Sequence, residues 1–152
     1  MKKLQFLTGN AGKLVEAQLF LGAMGYKVEQ FLVNGEVPEV IEPQVDSLRE
    51  VAATKISQAR ELLAASGESG AILIEDSGLF IDALNGFPGA NSASVHDQLG
   101  CSGVLDLMSS TDERGAEFRT CAILWDGGEF VGEGVCRGMI SHEERGGNGF
   151  GY

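Results

Sequence analysis

LQFLTGNAGKLVEAQLF, residues 4–20, holds an apolar strand-like run, a small polar turn and a second apolar run with helical spacing. Leu4 to Leu7 reads as a strand, Thr8-Gly9-Asn10-Ala11-Gly12-Lys13 as the turn, and a helix follows from about Gly12 to Leu21, closing near Gly22. Strand, tight turn and helix in immediate succession open an α/β fold, expected here as a mixed central sheet with helices. The turn is not a P-loop. That pattern needs a glycine where Leu7 stands and a magnesium-holding hydroxyl where Leu14 stands. Free backbone N–H groups and a helix dipole still converge at the start of the helix, which suits an anion. Any metal must then be held elsewhere.

The whole chain narrows the classes of function. Its 152 residues, 43% hydrophobic and 22% charged, fit one globular domain over residues 1–152. The longest apolar runs fall far short of a membrane span. Met1-Lys2-Lys3 leads into a strand rather than a signal-peptide core, so a cytoplasmic protein without a membrane partner is expected. Cys101, Cys121 and Cys136 are odd in number and show no C-x-x-C spacing, which argues for packing rather than a disulfide framework or zinc site. A formal net charge of −11 repels nucleic-acid backbones and disfavours a polymeric nucleic-acid partner. A small polyphosphate stays possible where a few lysines are local and carboxylates recruit a divalent cation.

Further along, Val28 to Leu32 reads as a second strand, and an acidic, proline-containing stretch from Glu36 to Gln44 leads to Ser47. Ser47-Leu48-Arg49-Glu50 fits a capping box. The helix after it carries Leu48, Val51, Ala52, Ile56, Ala59, Leu62 and Leu63 on one stripe, with Lys55 near the middle of it. Either the Lys55 stem packs while its ammonium reaches water, or the helix borders a cleft that holds an anion. Ala71 to Ile74 reads as a strand buried on both faces that stops at Glu75-Asp76-Ser77-Gly78. Ligands of open α/β sheets bind beyond the carboxyl ends of strands, which puts these carboxylates in a functional position; alternatively Asp76 only caps a turn with Ser77-Gly78. Leu79 to Leu84 then runs into Asn85-Gly86-Phe87-Pro88-Gly89, a short helix spans about Leu99 to Met108, and Glu117–Trp125 with Glu129–Cys136 form an antiparallel hairpin around Asp126-Gly127-Gly128. The chain closes on Arg145-Gly146-Gly147-Asn148-Gly149-Phe150-Gly151-Tyr152, whose two aromatic rings either sandwich a base or simply pack. His96 and His142 have no spacing that marks metal binding, and surface or core roles are expected for both.

Four segments, taken in order, resemble the inosine triphosphate pyrophosphatase family, enzymes that clear non-canonical purine nucleoside triphosphates. They are Thr8 to Lys13 with Glu16, Glu42-Pro43-Gln44 ahead of the Lys55 helix, Glu75-Asp76-Ser77-Gly78-Leu79 with Ala83 to Gly89, and Gly149-Phe150-Gly151-Tyr152. The resemblance implies two lobes around a nucleotide-binding cleft, a homodimer, and hydrolysis between the α- and β-phosphates with Mg2+. It implies that Thr8, Asn10, Lys13 and Lys55 hold the triphosphate, with Ser77, Phe150 and Tyr152 completing the substrate contacts. Asp76 is then the expected base or water-positioner, Glu42 the main metal ligand, and Glu75 and Asp76 its companions. Adjacent strand residues point to opposite faces, so Glu75 and Asp76 share a cleft only if the strand has already bent.

Two features depart from the family pattern. That pattern continues beyond Phe-Gly-Tyr with Asp-Pro, a lysine and a Ser-His-Arg triplet that help read the base. After Pro-Gly it carries an aromatic residue and Ser-Ala-Arg, where this chain has Ala90-Asn91-Ser92-Ala93-Ser94. The missing ring and guanidinium bear on dimerisation or the cleft entrance. The alternatives to an active enzyme are a non-catalytic nucleotide-binding protein or truncated family member, and a septum-inhibitor-like pyrophosphatase acting on modified pyrimidine nucleotides.

Overall fold

The computed structural model describes residues 1–149 and 151–152. Its elements are β1 (Lys2–Phe6), α1 (Ala11–Gly22), β2 (Tyr26–Gln30), α2 (Leu48–Ala65), β3 (Ala71–Ile81), β4 (Pro88–Gly89), α3 (Ser92–Leu107), β5 (Gly115–Trp125) and β6 (Glu129–Met139), with a 3-10 turn at Asp82–Leu84. The sheet is mixed, in the order β2-β1-β3-β5-β6, with β4 added to β3. Its β2-β1-β3 part is parallel and the remainder antiparallel. Among the described residues no helix is long and apolar enough to cross a membrane.

Strand alternation along β3 assigns the layers. Ile72 and Ile74 pack with Cys121 and Ile123 of β5 beneath Ala52, Ile56, Ala59 and Leu63 of α2. On the other face, Ala71 joins Leu4, Phe6 and Val28 beneath Leu14, Ala17 and Leu21 of α1. Leu79 and Ile81, on that same face further along, pack with Val95, Val104 and Met108 on and just after α3. One strand thus carries α1 and α3 on one side and α2 on the other.

The expected stop at Glu75 is wrong. β3 continues through Ile81 because β5 pairs it throughout, with Glu75 opposite Ala122, Asp76 opposite Cys121, Ser77 opposite Thr120 and Gly78 opposite Arg119. Ser77-Gly78 is accordingly no turn, and Asp76 caps nothing. Gly78 is needed for another reason: a Cβ there would collide with the Gly89 carbonyl of β4. The helix expected at Leu99 instead begins at Ser92, with Gly100 out of helical conformation at φ 66° and ψ −177°. That break divides α3 and hides its first half from a periodicity search. β6 extends to Met139 rather than Cys136, while β1 and β2 each begin two residues earlier than expected. Only the serine half of the capping box is present among the described residues, with Glu50 N–H donating to Ser47 Oγ over 3.3 Å.

A notch in the sheet follows from this pairing. On one side of β3, β1 pairs it as far as Leu73, and β4 takes over only at Leu79. Between them, Ile74 to Gly78 have β5 on one side and no strand on the other among the described residues. The notch lets groups from both faces of the sheet reach one cavity.

Candidate active site

The turn before α1 is built by its own side chains. Asn10 N–H donates to Thr8 Oγ1 over 3.0 Å, and Lys13 N–H donates to Asn10 Oδ1 over 3.1 Å, which makes Asn10 the N-cap of α1. Gln30 Nε2 fixes the turn from β2 by donating to Thr8 O over 2.8 Å. The Asn10 amide, the Thr8 hydroxyl hydrogen and the Lys13 ammonium remain as donors at the helix start.

Glu75 and Asp76 do point to opposite faces, as strand alternation requires, and each meets the lysine of the helix on its own side. Glu75 Oε2 lies 2.7 Å from Lys13 Nζ of α1. Asp76 Oδ1 lies 3.6 Å from Lys55 Nζ of α2, and Glu42 Oε1 lies 3.0 Å from the same ammonium. The strand has not bent: the notch, not a kink, puts both carboxylates on one cavity. Lys55 does not snorkel to water, since its side chain is 12% exposed and its head sits between two carboxylates.

Two positioning side chains went unseen in the sequence. Gln58, one turn beyond Lys55 on α2, donates to Ile41 O and accepts from Ile41 N–H, each over 2.7 Å. This pair of bonds pins the loop that carries Glu42. Thr120 Oγ1 donates to Glu75 Oε1 and lies 3.2 Å from Asp76 O, its single hydroxyl hydrogen being available to one of them at a time, so β5 holds this acidic pair from across the ladder. Neither residue stands in a recognisable motif; only the strand register brings Thr120 into place.

Electrostatically the centre is Asp76. Burial pushes its carboxyl up to about 6, against the pull of Lys55, while Glu42 adds to the rise. Its Oδ2 is buried and has no hydrogen-bond partner among the described residues. A buried carboxylate oxygen without a donor fits an incoming proton, a water or a hard cation. No three metal-ligating side chains converge among the described residues. Magnesium usually keeps several waters and takes only one or two carboxylates beside substrate phosphates, so Asp76 and Glu42 are a sufficient donor set for it.

Thr8, Asn10, Lys13, Glu42, Lys55, Glu75, Asp76 and Ser77 all line one cavity of about 680 Å³. Tyr152 lines it too, with its hydroxyl donating to Ser92 O over 3.1 Å and its ring meeting His96 edge-on at 5.0 Å. Burial pushes the Tyr152 hydroxyl up to about 12, so it remains a donor at neutral pH. Phe150 lies outside the described residues. His96 and Phe118 border the same cavity, a placement the sequence did not signal for either. Of the cysteines, Cys121 is buried in the α2 layer as expected for packing, whereas Cys136 is exposed.

A profile of the Ham1 family matches residues 4–152. A dITP/XTP pyrophosphatase of Methanopyrus kandleri is 43% identical over 99% of this chain and 76% of its own length. One of Thermococcus kodakarensis is 37% identical over the same shares. Among solved structures, a HAM1 protein from Coxiella burnetii superposes with a TM-score of 0.80 at 29% identity, covering 100% of this chain and 79% of that one. A nucleoside-triphosphatase / dITP/XTP pyrophosphatase from Mycobacterium abscessus gives 0.67 at 31% identity over 99% and 80%.

Proposed function

This chain belongs to the Ham1 family, and we propose that it hydrolyses the triphosphates of inosine, deoxyinosine and xanthosine to nucleoside monophosphate and pyrophosphate. The observation that carries this reading is the buried Asp76 oxygen without a donor among the described residues, set beside two lysines in a cavity headed by a helix start. The name of the Methanopyrus kandleri relative, dITP/XTP pyrophosphatase, agrees with it.

In this mechanism Thr8, Asn10 and the first-turn N–H groups of α1 take the triphosphate, and Lys13 and Lys55 turn from their carboxylates to its oxygens. Glu75 and Glu42 hold those ammonium groups in place until the phosphates arrive. Ser77 adds a hydroxyl from the notch, while Tyr152 and Phe150 border the base. Asp76 Oδ2 orients a water toward the α-phosphorus and accepts its proton as the new P–O bond forms. The bond from that phosphorus to the bridging oxygen then breaks, and pyrophosphate leaves with the oxygen. Mg2+, held by Asp76 and Glu42 with Glu75 in support, would neutralise charge on the phosphate oxygens. We further place the chain in the cytoplasm, in keeping with three free cysteines, and as a homodimer.

Turnover in oxygen-labelled water tests the direction of attack. Label in inosine monophosphate is expected; label in pyrophosphate would mean attack at the β-phosphorus and would remove Asp76 from this role.

A further inference from the structure

Arg114, in the link between α3 and β5, is only 6% exposed. Among the described residues no carboxylate lies within ion-pair distance of it. Its guanidinium donates instead to three backbone carbonyls: Nη1 to Met108 O over 2.8 Å, Nε to Ile140 O over 3.1 Å and Nη2 to Ser141 O over 2.7 Å. Ile140 N–H returns a bond to Arg114 O over 2.8 Å. Burying a cation costs desolvation that its hydrogen bonds must offset, so such a group is weak evidence of added stability. What a planar fork does fix is direction, since it reaches several acceptors at set angles where an ammonium does not.

The three carbonyls belong to two segments that meet again at the cleft. Met108 caps the C-terminal end of α3, where the carbonyls carry the negative end of the helix dipole and suit a cation. Gly100 interrupts α3, and Arg114 grips the half beyond that break. Ile140 and Ser141 follow β6 and open the stretch that leads to Tyr152. Residues 142–149 are exposed throughout, and among the described residues their bonds stay inside the stretch, from Ser141 Oγ to Glu143 O and between Arg145 and Glu143. The chain regains α3 only at Gly151, whose carbonyl lies 3.8 Å from Cys101 Sγ, and at Tyr152, whose hydroxyl donates to Ser92 O over 3.1 Å. Ile140 and Tyr152 also pack on one apolar cluster with Val104 and Met108. The stretch is thus fastened at two ends, by Arg114 at its start and by Tyr152 against the first turn of α3.

We propose that Arg114 is a positioning residue for the base side of the cleft: by locking the far end of α3 to the start of residues 140–152, it sets Tyr152 against Ser92 and His96 at the cavity wall. This rests on the reading that Tyr152 borders the base of a nucleoside triphosphate. Lys13, Lys55 and Asp76 stand on α1, α2 and β3, to none of which the Arg114 guanidinium is hydrogen-bonded. The phosphate end of the cleft should not feel its loss.

Steady-state kinetics of Arg114→Met and the milder Arg114→Lys, with inorganic tripolyphosphate as a competing ligand that has no base, test the assignment. The KM for inosine triphosphate should rise ~10-fold or more in Arg114→Met and less in Arg114→Lys, with kcat and the tripolyphosphate inhibition constant each within ~2-fold of the original. In a Tyr152→Ala background, Arg114→Met should add almost nothing, because both changes remove the same contact with the base. Hydrogen exchange over residues 140–152 of the nucleotide-free chain should quicken at least ~10-fold in Arg114→Met while β3 stays protected. Circular dichroism identifies a variant that fails to fold, and Arg114→Lys, which keeps a cation able to reach one carbonyl, is then the variant read. An unchanged KM, equal weakening of both ligands, or full additivity with Tyr152→Ala overturns the proposal. A chain without turnover sinks the hydrolytic reading instead; unchanged exchange at residues 140–152 would then overturn the anchor, and faster exchange would uphold it.

Discussion

An aspartate that ionises only near pH 6 in the folded chain, against 3.8 in its ordinary state, costs folding free energy at neutral pH. Between those values the folded state keeps a proton that the unfolded state has released, so this residue's contribution to stability falls as pH rises from about 4 to about 6 and is level above. Asp76→Asn, which mimics the protonated form, should stabilise the nucleotide-free chain at pH 7.5 by up to about 3 kcal/mol. The gain should vanish below about pH 4 in urea denaturation. The same change should lower turnover by about 10²-fold or more with modest loss of binding. Near-normal turnover would remove Asp76 as the base. For the unchanged enzyme, kcat/KM should rise with pH through a limb near 6, which Asp76→Asn should abolish. Lys55→Met should weaken nucleotide binding by about tenfold or more while the α2 stripe keeps the fold. Unchanged affinity measured by calorimetry would return Lys55 to a purely structural role.

At the scale of elements, the notch decides what the site can be. β1 ends at Phe6, β4 begins at Pro88, and among the described residues the stretch of β3 between their contacts is paired by β5 alone. Two acidic residues of opposite strand parity consequently serve one cavity without a bend. Gly78 sets the lower edge of the notch, because only a residue without Cβ admits the Gly89 carbonyl. Gly78→Ala should destabilise the chain by about 2 kcal/mol or more through displacement of β4. An equilibrium urea midpoint equal to the original would show that β4 adjusts freely.

For the molecule as a whole, what could be read in the sequence divides along physical lines. Thr8 to Lys13 and the Lys55 stripe were legible because the local period and turn chemistry of α1 and α2 agree with their tertiary packing. The end of β3 was misplaced because Glu75-Asp76-Ser77-Gly78 is polar and looks like a turn, while the pairing that keeps it extended comes from β5, some 45 residues away. Thr120 and Gln58 were missed for the same reason: their partners lie in other elements, and no spacing encodes them. The first half of α3 was hidden by Gly100, whose positive-φ, non-helical conformation interrupts the helical period. Membership of the Ham1 family agrees with the motif order Thr8 to Lys13, Glu42, Asp76 and Gly149 to Tyr152.

The most direct measurement is the product released by the purified 152-residue chain with magnesium from inosine, xanthosine, guanosine and adenosine triphosphates, assayed side by side with Asp76→Asn. Pyrophosphate from inosine and xanthosine triphosphate in preference to the others, lost in Asp76→Asn, is the expected result. Orthophosphate as the product, or nucleotide binding with no release at all, would contradict the assignment and leave a binding protein built on a pyrophosphatase fold.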